Sequence, residues 1–230
     1  MSESLESPAA ALLDFLAVSA GAPARSPIAA RAARAGARMV VRNGFAVAGD
    51  LAGIDRERAW IAGTVGVRDA SHLPIAELEG RAAELAMAEL QGPVAELAGG
   101  LGPATSGPGI ATYRDGGWWC RLHPGRLLVV GSSAGIRGAL DVTSSLAGVR
   151  IEGPLARETI ARFCALDLRD REAPVGAVRP GSIARTPGIV LREAADVFLL
   201  LFGWAYSDYV WDVAIDAAES LGGGGVGADA

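Results

Sequence analysis

The residues best equipped for chemistry in this chain stand in a phrase that occurs twice. The first copy runs Asp69-Ala70-Ser71-His72-Leu73-Pro74-Ile75-Ala76-Glu77-Leu78-Glu79-Gly80 and continues into an alanine-rich stretch. The second, about 73 residues further on, runs from Asp141-Val142-Thr143 through Val149-Arg150-Ile151-Glu152-Gly153 into another such stretch. Each carries Asp, one spacer, a hydroxyl residue, a short apolar strand, Glu-Gly and then a helix. Ser71 and His72 are the obvious polar pair for a nucleophile and a base. Adjacent residues on a loop cannot readily point at one another in those roles, and no Asp is placed to orient the imidazole, so a hydrolase is disfavoured. Asp69 and Asp141 are better read as turn-fixing residues. An Asp two positions before Ser or Thr commonly accepts a hydrogen bond from a nearby backbone N–H.

The remaining candidates are weaker. His123 precedes Pro124 and reads as an exposed hairpin residue, and two lone histidines without helical spacing make no metal site. Gly131-Ser-Ser-Ala-Gly135-Ile-Arg-Gly138 follows a strand but lacks the G-x-G-x-x-G spacing, so it reads as a connector. The chain contains no lysine, which excludes a Schiff-base lysine and a phosphate-loop lysine together. Cys120 and Cys164 form neither a zinc pattern nor a disulfide framework. They read as small buried hydrophobes in a reduced, cytoplasmic setting. Tyr206, Tyr209 and Trp211 gather at the start of the final helix. Trp211 lies off that helix's apolar stripe and is expected to be exposed, as partner-anchoring aromatics are.

These residues need elements to hold them. Residues 1–25 read as an amphipathic helix around Leu12, Leu13 and Leu16 followed by a linker, with the folded body at 26–221. Arg38–Val41 is predicted as a strand closed by the turn dipeptide Asn43-Gly44. Glu57–Ile61 reads as helical, and Ile75–Leu78 as a strand leading into a helix with Ala82, Leu85, Ala86 and Leu90 on one face. Residues 92–109, rich in Gly and Pro, read as a loop. Trp118–Leu122 and Leu127–Val130 form the clearest hairpin, turning at Pro124-Gly125. Val149–Ile151 alternates like a half-buried strand, and Pro154 suits the start of the following helix. Gly188–Leu191 and Val197–Phe202 are two more strands. The last helix begins at Ser207 with Val210, Val213, Ala214, Ala217, Ala218 and Leu221 inward, and Gly222 ends it. Residues 222–230 then read as a flexible glycine-rich tail. The expected class is α+β, with a pseudo-two-fold repeat of strand-turn-helix units.

Composition bounds the function. At 230 residues the chain can build one substantial core or two small ones. A net charge of −5 argues against nucleic acid as a partner. The longest strongly apolar run, Val197–Trp204, is too short for a membrane span, so no membrane is expected.

The motifs carry a further signal. Gly36-Ala37-Arg38-Met39-Val40 resembles the L-G-A-R-M-V strand of the folate-dependent aminomethyltransferases, the glycine-cleavage T-protein superfamily. Gly66 to Gly80 is similar to that family's G-L-F-D-V-S-H-M-G-x-I-E-V-x-G-P segment. The second half more closely resembles the gamma-subunit family of heterotetrameric sarcosine oxidases. That likeness runs through Asp141–Thr143, Glu152–Arg157, Cys164–Leu168, Gly181–Thr186, Val190–Arg192, Asp196–Phe198 and Ser207–Asp212, and the Trp119–Gly131 hairpin joins it.

The resemblance implies an aminomethyltransferase folate-binding-domain-like fold over residues 26–221. It also implies an assembly that oxidises sarcosine and hands the one-carbon unit to tetrahydrofolate, with FAD or FMN and NAD held by partner subunits of alpha, beta and delta type. The departures are equally specific. The family's T-N-D-V segment reads Leu90-Gln-Gly-Pro-Val94, and its folate clamp G-Y-T-G-E-D-G-F-E reads Leu191-Arg-Glu-Ala-Ala-Asp-Val-Phe198. A catalytically silent gamma-type subunit is therefore expected, with no catalytic residue of its own. Asp69, Ser71 and His72 are the candidate cofactor contacts, and Tyr206, Tyr209 and Trp211 the candidate partner contacts. The alternative is a stand-alone folate-binding or aminomethyl-transferring protein, which the intact Gly36–Val40 and Gly66–Gly80 blocks favour.

Overall fold

A computed structural model describes residues 22–90, 108–132 and 136–230. In chain order the strands and helices are β1 (Ala24–Arg25), α1 (Ala29–Arg34), β2 (Arg38–Arg42), β3 (Phe45–Asp50), α2 (Ile54–Gly63), β4 (Gly66–Asp69), β5 (Ile75–Glu79), α3 (Gly80–Leu90), β6 (Ile110–Arg114), β7 (Gly117–His123) and β8 (Arg126–Val130). They continue with β9 (Leu140–Asp141), β10 (Leu146–Glu152), α4 (Ala156–Ala161), β11 (Val178–Ile183), β12 (Thr186–Ala194), β13 (Val197–Gly203), α5 (Ser207–Glu219) and β14 (Gly224–Val226). The class is α+β. The predicted amphipathic helix near Leu12 and the segment Gln91–Val94 lie outside the described residues.

Two sheets form the body. One has the order β11-β12-β13-β10-β4-β14 and the other β6-β7-β8-β5-β9. Strand β13 shows why they stack. Its run Val-Phe-Leu-Leu-Leu-Phe is apolar at every position, as a strand covered on both faces must be. Phe198, Leu200 and Phe202 point to one side, into a core shared with Ala156 and Ile160 of α4 and Val210, Ala214 and Ala218 of α5. Leu199 and Leu201 point to the other, where they meet Ile75, Cys120, Leu122, Leu128 and Val130 of the second sheet. That sheet's outer face, Ala76, Leu78, Leu127 and Val129, is closed by Ala83 and Met87 of α3. The layers are thus helix, sheet, sheet, helix. Fully burying a Leu or Phe side chain is worth about 1.5–3 kcal/mol, so these three clusters dominate the stability.

The hairpin turns as expected. His123 pairs with Arg126 around Pro124-Gly125, and the exposed His123 imidazole accepts the Gly125 N–H at 3.2 Å.

The glycine-rich segment after α5 corrects the expectation of a flexible tail at 222–230. Gly224–Val226 form β14, parallel to β4, and Ala228 and Asp229 donate to the carbonyls of Ala48 and Gly49 at 2.8 and 3.0 Å. Glycine is what lets the strand fit. A Cβ on Gly223 would overlap the Val65 carbonyl oxygen, and one on Gly227 would overlap that of Gly49. The Glu57 carboxylate, fully buried, fixes the crossing by accepting N–H groups of Leu51, Ala52 and Gly227 at 2.5, 2.7 and 2.9 Å. Ordered structure also begins before residue 26, because Ala24–Arg25 pair in parallel with β3.

Candidate functional site

The two copies of the repeated phrase fold into matching turns. After β4 the Asp69 carboxylate accepts the Ser71 N–H at 2.9 Å, and after β9 the Asp141 carboxylate accepts the Thr143 N–H at 2.9 Å. Each turn then grips the strand of the other copy. Ser71 Oγ accepts the Gly148 N–H at 3.2 Å and donates to the Gly148 carbonyl at 3.3 Å. Thr143 Oγ1 accepts the Ile75 N–H at 2.9 Å and donates to the Ile75 carbonyl at 3.4 Å. The backbone repeats the exchange, with Ala70 N–H to Gly148 and Val142 N–H to Ile75, both at 2.9 Å. Beyond the turns, β10 lies between β4 and β13 while β5 lies between β9 and β8, all antiparallel.

The surroundings of the two turns differ. Asp69 is buried, and Ser26 Oγ donates to its second oxygen. Burial pushes the Asp69 carboxyl above its usual range, against the opposing pull of the Ser26 and Ser71 hydrogen bonds. Asp141 is exposed, and the Thr143 hydroxyl and N–H hold its carboxyl below the usual range. Ser26 escaped sequence reasoning, since a lone serine before an apolar helix carries no signal of a distant carboxylate.

His72 sits beside Ser71 without meeting it. The Ser71 hydroxyl is committed to Gly148, and the His72 Nδ1 is buried without a hydrogen-bond partner among the described residues. Burial, then the charges of Arg150, Arg42 and Arg68, bring the imidazole down to about 4. It is therefore neutral at physiological pH. Asn43 reaches across from the β2–β3 turn and donates to the His72 carbonyl at 3.2 Å. His72, Asn43, Phe45, Pro74, Asp141, Thr143 and Ser144 line an open cleft of about 260 Å³ between the two turns. The sequence marked Asn43-Gly44 only as a turn; nothing in it placed that turn against the repeated phrase.

The aromatic candidates separate. Tyr206 and Tyr209 are 45% and 50% exposed, as the expectation of a surface pair requires. Trp211 corrects the expectation of an exposed anchor, for it is only 7% exposed and belongs to the core beneath the helices. Its cover is the segment first read as a tail. Gly225 lies against the Trp211 indole, and Gly224 packs on Trp60 in the same way. Both cysteines are buried and free, and burial raises both thiols, so neither is a nucleophile at neutral pH.

In the segment that aligns with the folate clamp, Leu191–Phe198, the Arg192 and Glu193 side chains are engaged within the fold. Leu191 is fully buried between the sheets. Arg192 is spent on the carbonyls of Ala173, Ala194 and Ala195 and on Asp170, and Glu193 is paired with Arg150 at 2.6 Å. These side chains do not fit a pteridine clamp, and no step through tetrahydrofolate follows from them. Among the described residues no group of three or more His, Cys, Asp or Glu could hold a metal ion, and no helix is long and apolar enough to cross a membrane.

No family model and no curated protein sequence matches the chain. Solved structures do. A chain of the heterotetrameric sarcosine oxidase from Corynebacterium sp. U-96, determined with pyrrole 2-carboxylate, superimposes with a TM-score of 0.60 at 22% identity, over 86% of this chain and 95% of that one. The glycine cleavage system aminomethyltransferase T from Bartonella henselae gives 0.61 at 14% identity, over 83% of this chain. This chain spans only 56% of the length of that transferase. The two neighbours are the proteins toward which the motifs pointed, and the chain has the fold that they share.

Proposed function

We propose that this chain is a non-catalytic, gamma-type subunit of a sarcosine-oxidase-like assembly, built from two copies of one strand-turn-helix unit related by approximate two-fold symmetry. The observation that carries the assignment is coverage. The chain accounts for 95% of the sarcosine oxidase chain that it overlays, but little more than half of the transferase. The duplication is supported by the exchanged bonds of Ser71 with Gly148 and of Thr143 with Ile75, and by the shared strand order. In both sheets a meander of three strands meets the strand that follows the turn, with the strand before the other turn beyond it. The silent role is supported by the Ser71 hydroxyl, which is engaged with the Gly148 backbone.

On this reading the chain packs against alpha-, beta- and delta-type subunits in the cytoplasm. Those partners carry flavin and NAD, and the assembly delivers its one-carbon product to tetrahydrofolate. Tyr206 and Tyr209 contribute to the docking surface. Exposed aromatic clusters of this kind usually mark interaction sites. The test is co-expression with candidate flavin- and nicotinamide-binding oxidase chains. The wild-type chain should co-purify in a stoichiometric complex, and Tyr206→Ala with Tyr209→Ala should weaken it by about tenfold or more. A chain that stays monomeric beside its folded candidates refutes the assignment. Folate-dependent turnover by the purified chain alone would favour the transferase alternative.

A further inference from the structure

The β11–β12 hairpin closes through a two-residue turn, Ala184-Arg185, with Ile183 opposite Thr186 and the Thr186 hydroxyl donating to the Ile183 carbonyl at 2.9 Å. Both turn residues have positive φ, 47° and 64°, a conformation that tight hairpins need and that glycine or asparagine meets at least cost. Ala184 has a reason inside the fold to carry a side chain. It is buried in the core beneath the helices, and its N–H donates to the Phe163 carbonyl at 2.9 Å. Arg185 has none. Its side chain is exposed and makes no hydrogen bond or ion pair among the described residues. Arg162, directly after α4 and one residue before Phe163, is exposed and unpaired in the same way. From Ala173 to Leu191 the chain carries no acid, and its other arginine there, Arg179, is spent on the carbonyls of Gly109, Val178 and Glu172.

The register places this turn at the same end of the sheet as the exposed tyrosines. Gly188 lies opposite Phe202, so the start of β12 sits at the end of β13, where the chain bends through Trp204–Tyr206 into α5. Asp208 and Asp212, the acids nearest Tyr209 in sequence, are turned to Arg31 at 3.0 and 2.7 Å and give Arg185 no partner. From this arrangement we infer that Arg185, supported by Arg162, is the docking anchor for a carboxylate on the surface of a partner protein that covers Tyr206 and Tyr209. The inference rests on the proposed subunit role and names the chemistry of the partner. A guanidinium grips a carboxylate through two parallel N–H donors, and arginine and tyrosine are enriched among the residues that dominate interface energetics. A free small anion would meet only an exposed guanidinium screened by salt. A protein surface adds burial of the tyrosine rings. The strained turn suits the role because it fixes the point from which the Arg185 side chain starts, and strain of this kind is retained at functional sites.

Arg185→Gly separates docking from folding, because it relieves the turn while removing the guanidinium. The affinity of the purified chain for the remaining oxidase subunits, assembled from the candidate flavin- and nicotinamide-binding chains, is measured by isothermal titration calorimetry. Arg185→Gly should melt at a higher temperature than wild type and yet bind about tenfold or more weakly at low salt. The difference should shrink in high salt. Arg162→Ala should lose less. Arg81→Ala removes the same charge from α3, on the opposite face of the body, and should leave the affinity unchanged. Arg185→Gly binding as tightly as wild type, or an equal loss from Arg81→Ala, would overturn the inference and leave the subunit role standing. A wild-type chain that binds none of the candidate subunits would overturn both.

Discussion

Glu57 offers a sharp test of how the body is locked. Its carboxylate accepts three backbone N–H groups, two from the turn before α2 and one from Gly227. Glu57→Gln keeps the shape but leaves a single acceptor oxygen, so the amide NH₂ must confront at least one of those N–H groups. The orientation that keeps two bonds leaves the oxygen on Leu51 and Ala52 and turns the NH₂ toward Gly227. One charge-assisted bond is then lost and a buried donor is stranded, at a cost of about 1–3 kcal/mol. If β14 opens as a local unit, that cost multiplies the open population by about 5- to 150-fold.

Hydrogen exchange reads this directly. Amides from Gly224 to Asp229 should lose protection by roughly that factor, while the central strand around Leu199 and Leu201 changes far less. Trp60 and Trp211, which lie beneath Gly224 and Gly225, should show red-shifted emission. Gly227→Ala should give the same local signature without changing charge, because its Cβ would run into the Gly49 carbonyl. Unchanged protection over 224–229 in both variants, or a loss spread uniformly over the whole chain, would refute the locking role.

Three further outcomes follow from the same geometry. Ser71→Ala strands the buried Gly148 N–H and should cost about 1–3 kcal/mol in urea unfolding, with Thr143→Ala costing less because Thr143 is only half-buried; partner co-purification should survive both. The His72 imidazole falls to about 4 on folding, so the unfolded chain binds the extra proton between about 4 and its ordinary value near 6.5; stability should rise with pH across that window, and His72→Gln should flatten the slope, by about 1–2 kcal/mol once partial exposure is allowed for. The β11–β12 turn holds Ala184 and Arg185 at φ 47° and 64°, a left-handed conformation that suits glycine, so Arg185→Gly should stabilise the chain by about 0.5–1 kcal/mol and raise Tm by a few degrees in calorimetry.

What could be read from the sequence was whatever depended on side-chain pattern or local turn chemistry. The unbroken apolar run Val197–Phe202 declared a strand, and the structure covers it on both faces. Pro124-Gly125 declared a hairpin, and the doubled Asp-x-Ser/Thr declared two turns. The glycine-rich segment after α5 defeated the same logic, since a strand that fits by lacking side chains has no period to detect. That single error spread to Trp211, because an indole off the apolar stripe looks exposed when the strand that covers it is read as solvent. Burial of Asp69 was hidden for a related reason. Its cover, Ser26 at the head of α1, comes from a part of the chain whose docking no local spacing encodes.

The two turns show how far identical local chemistry leaves function open. Asp69 and Asp141 each end a strand and accept the N–H two residues on at 2.9 Å, yet their carboxyls are displaced in opposite directions. The difference lies in what covers each copy. Ser26 and α1 roof the first turn, which takes Asp69 out of water and makes its charged form costly. Nothing comparable roofs the second among the described residues, so Asp141 keeps its charge. Burying Asp141 as deeply as Asp69 would raise its carboxyl in the same way.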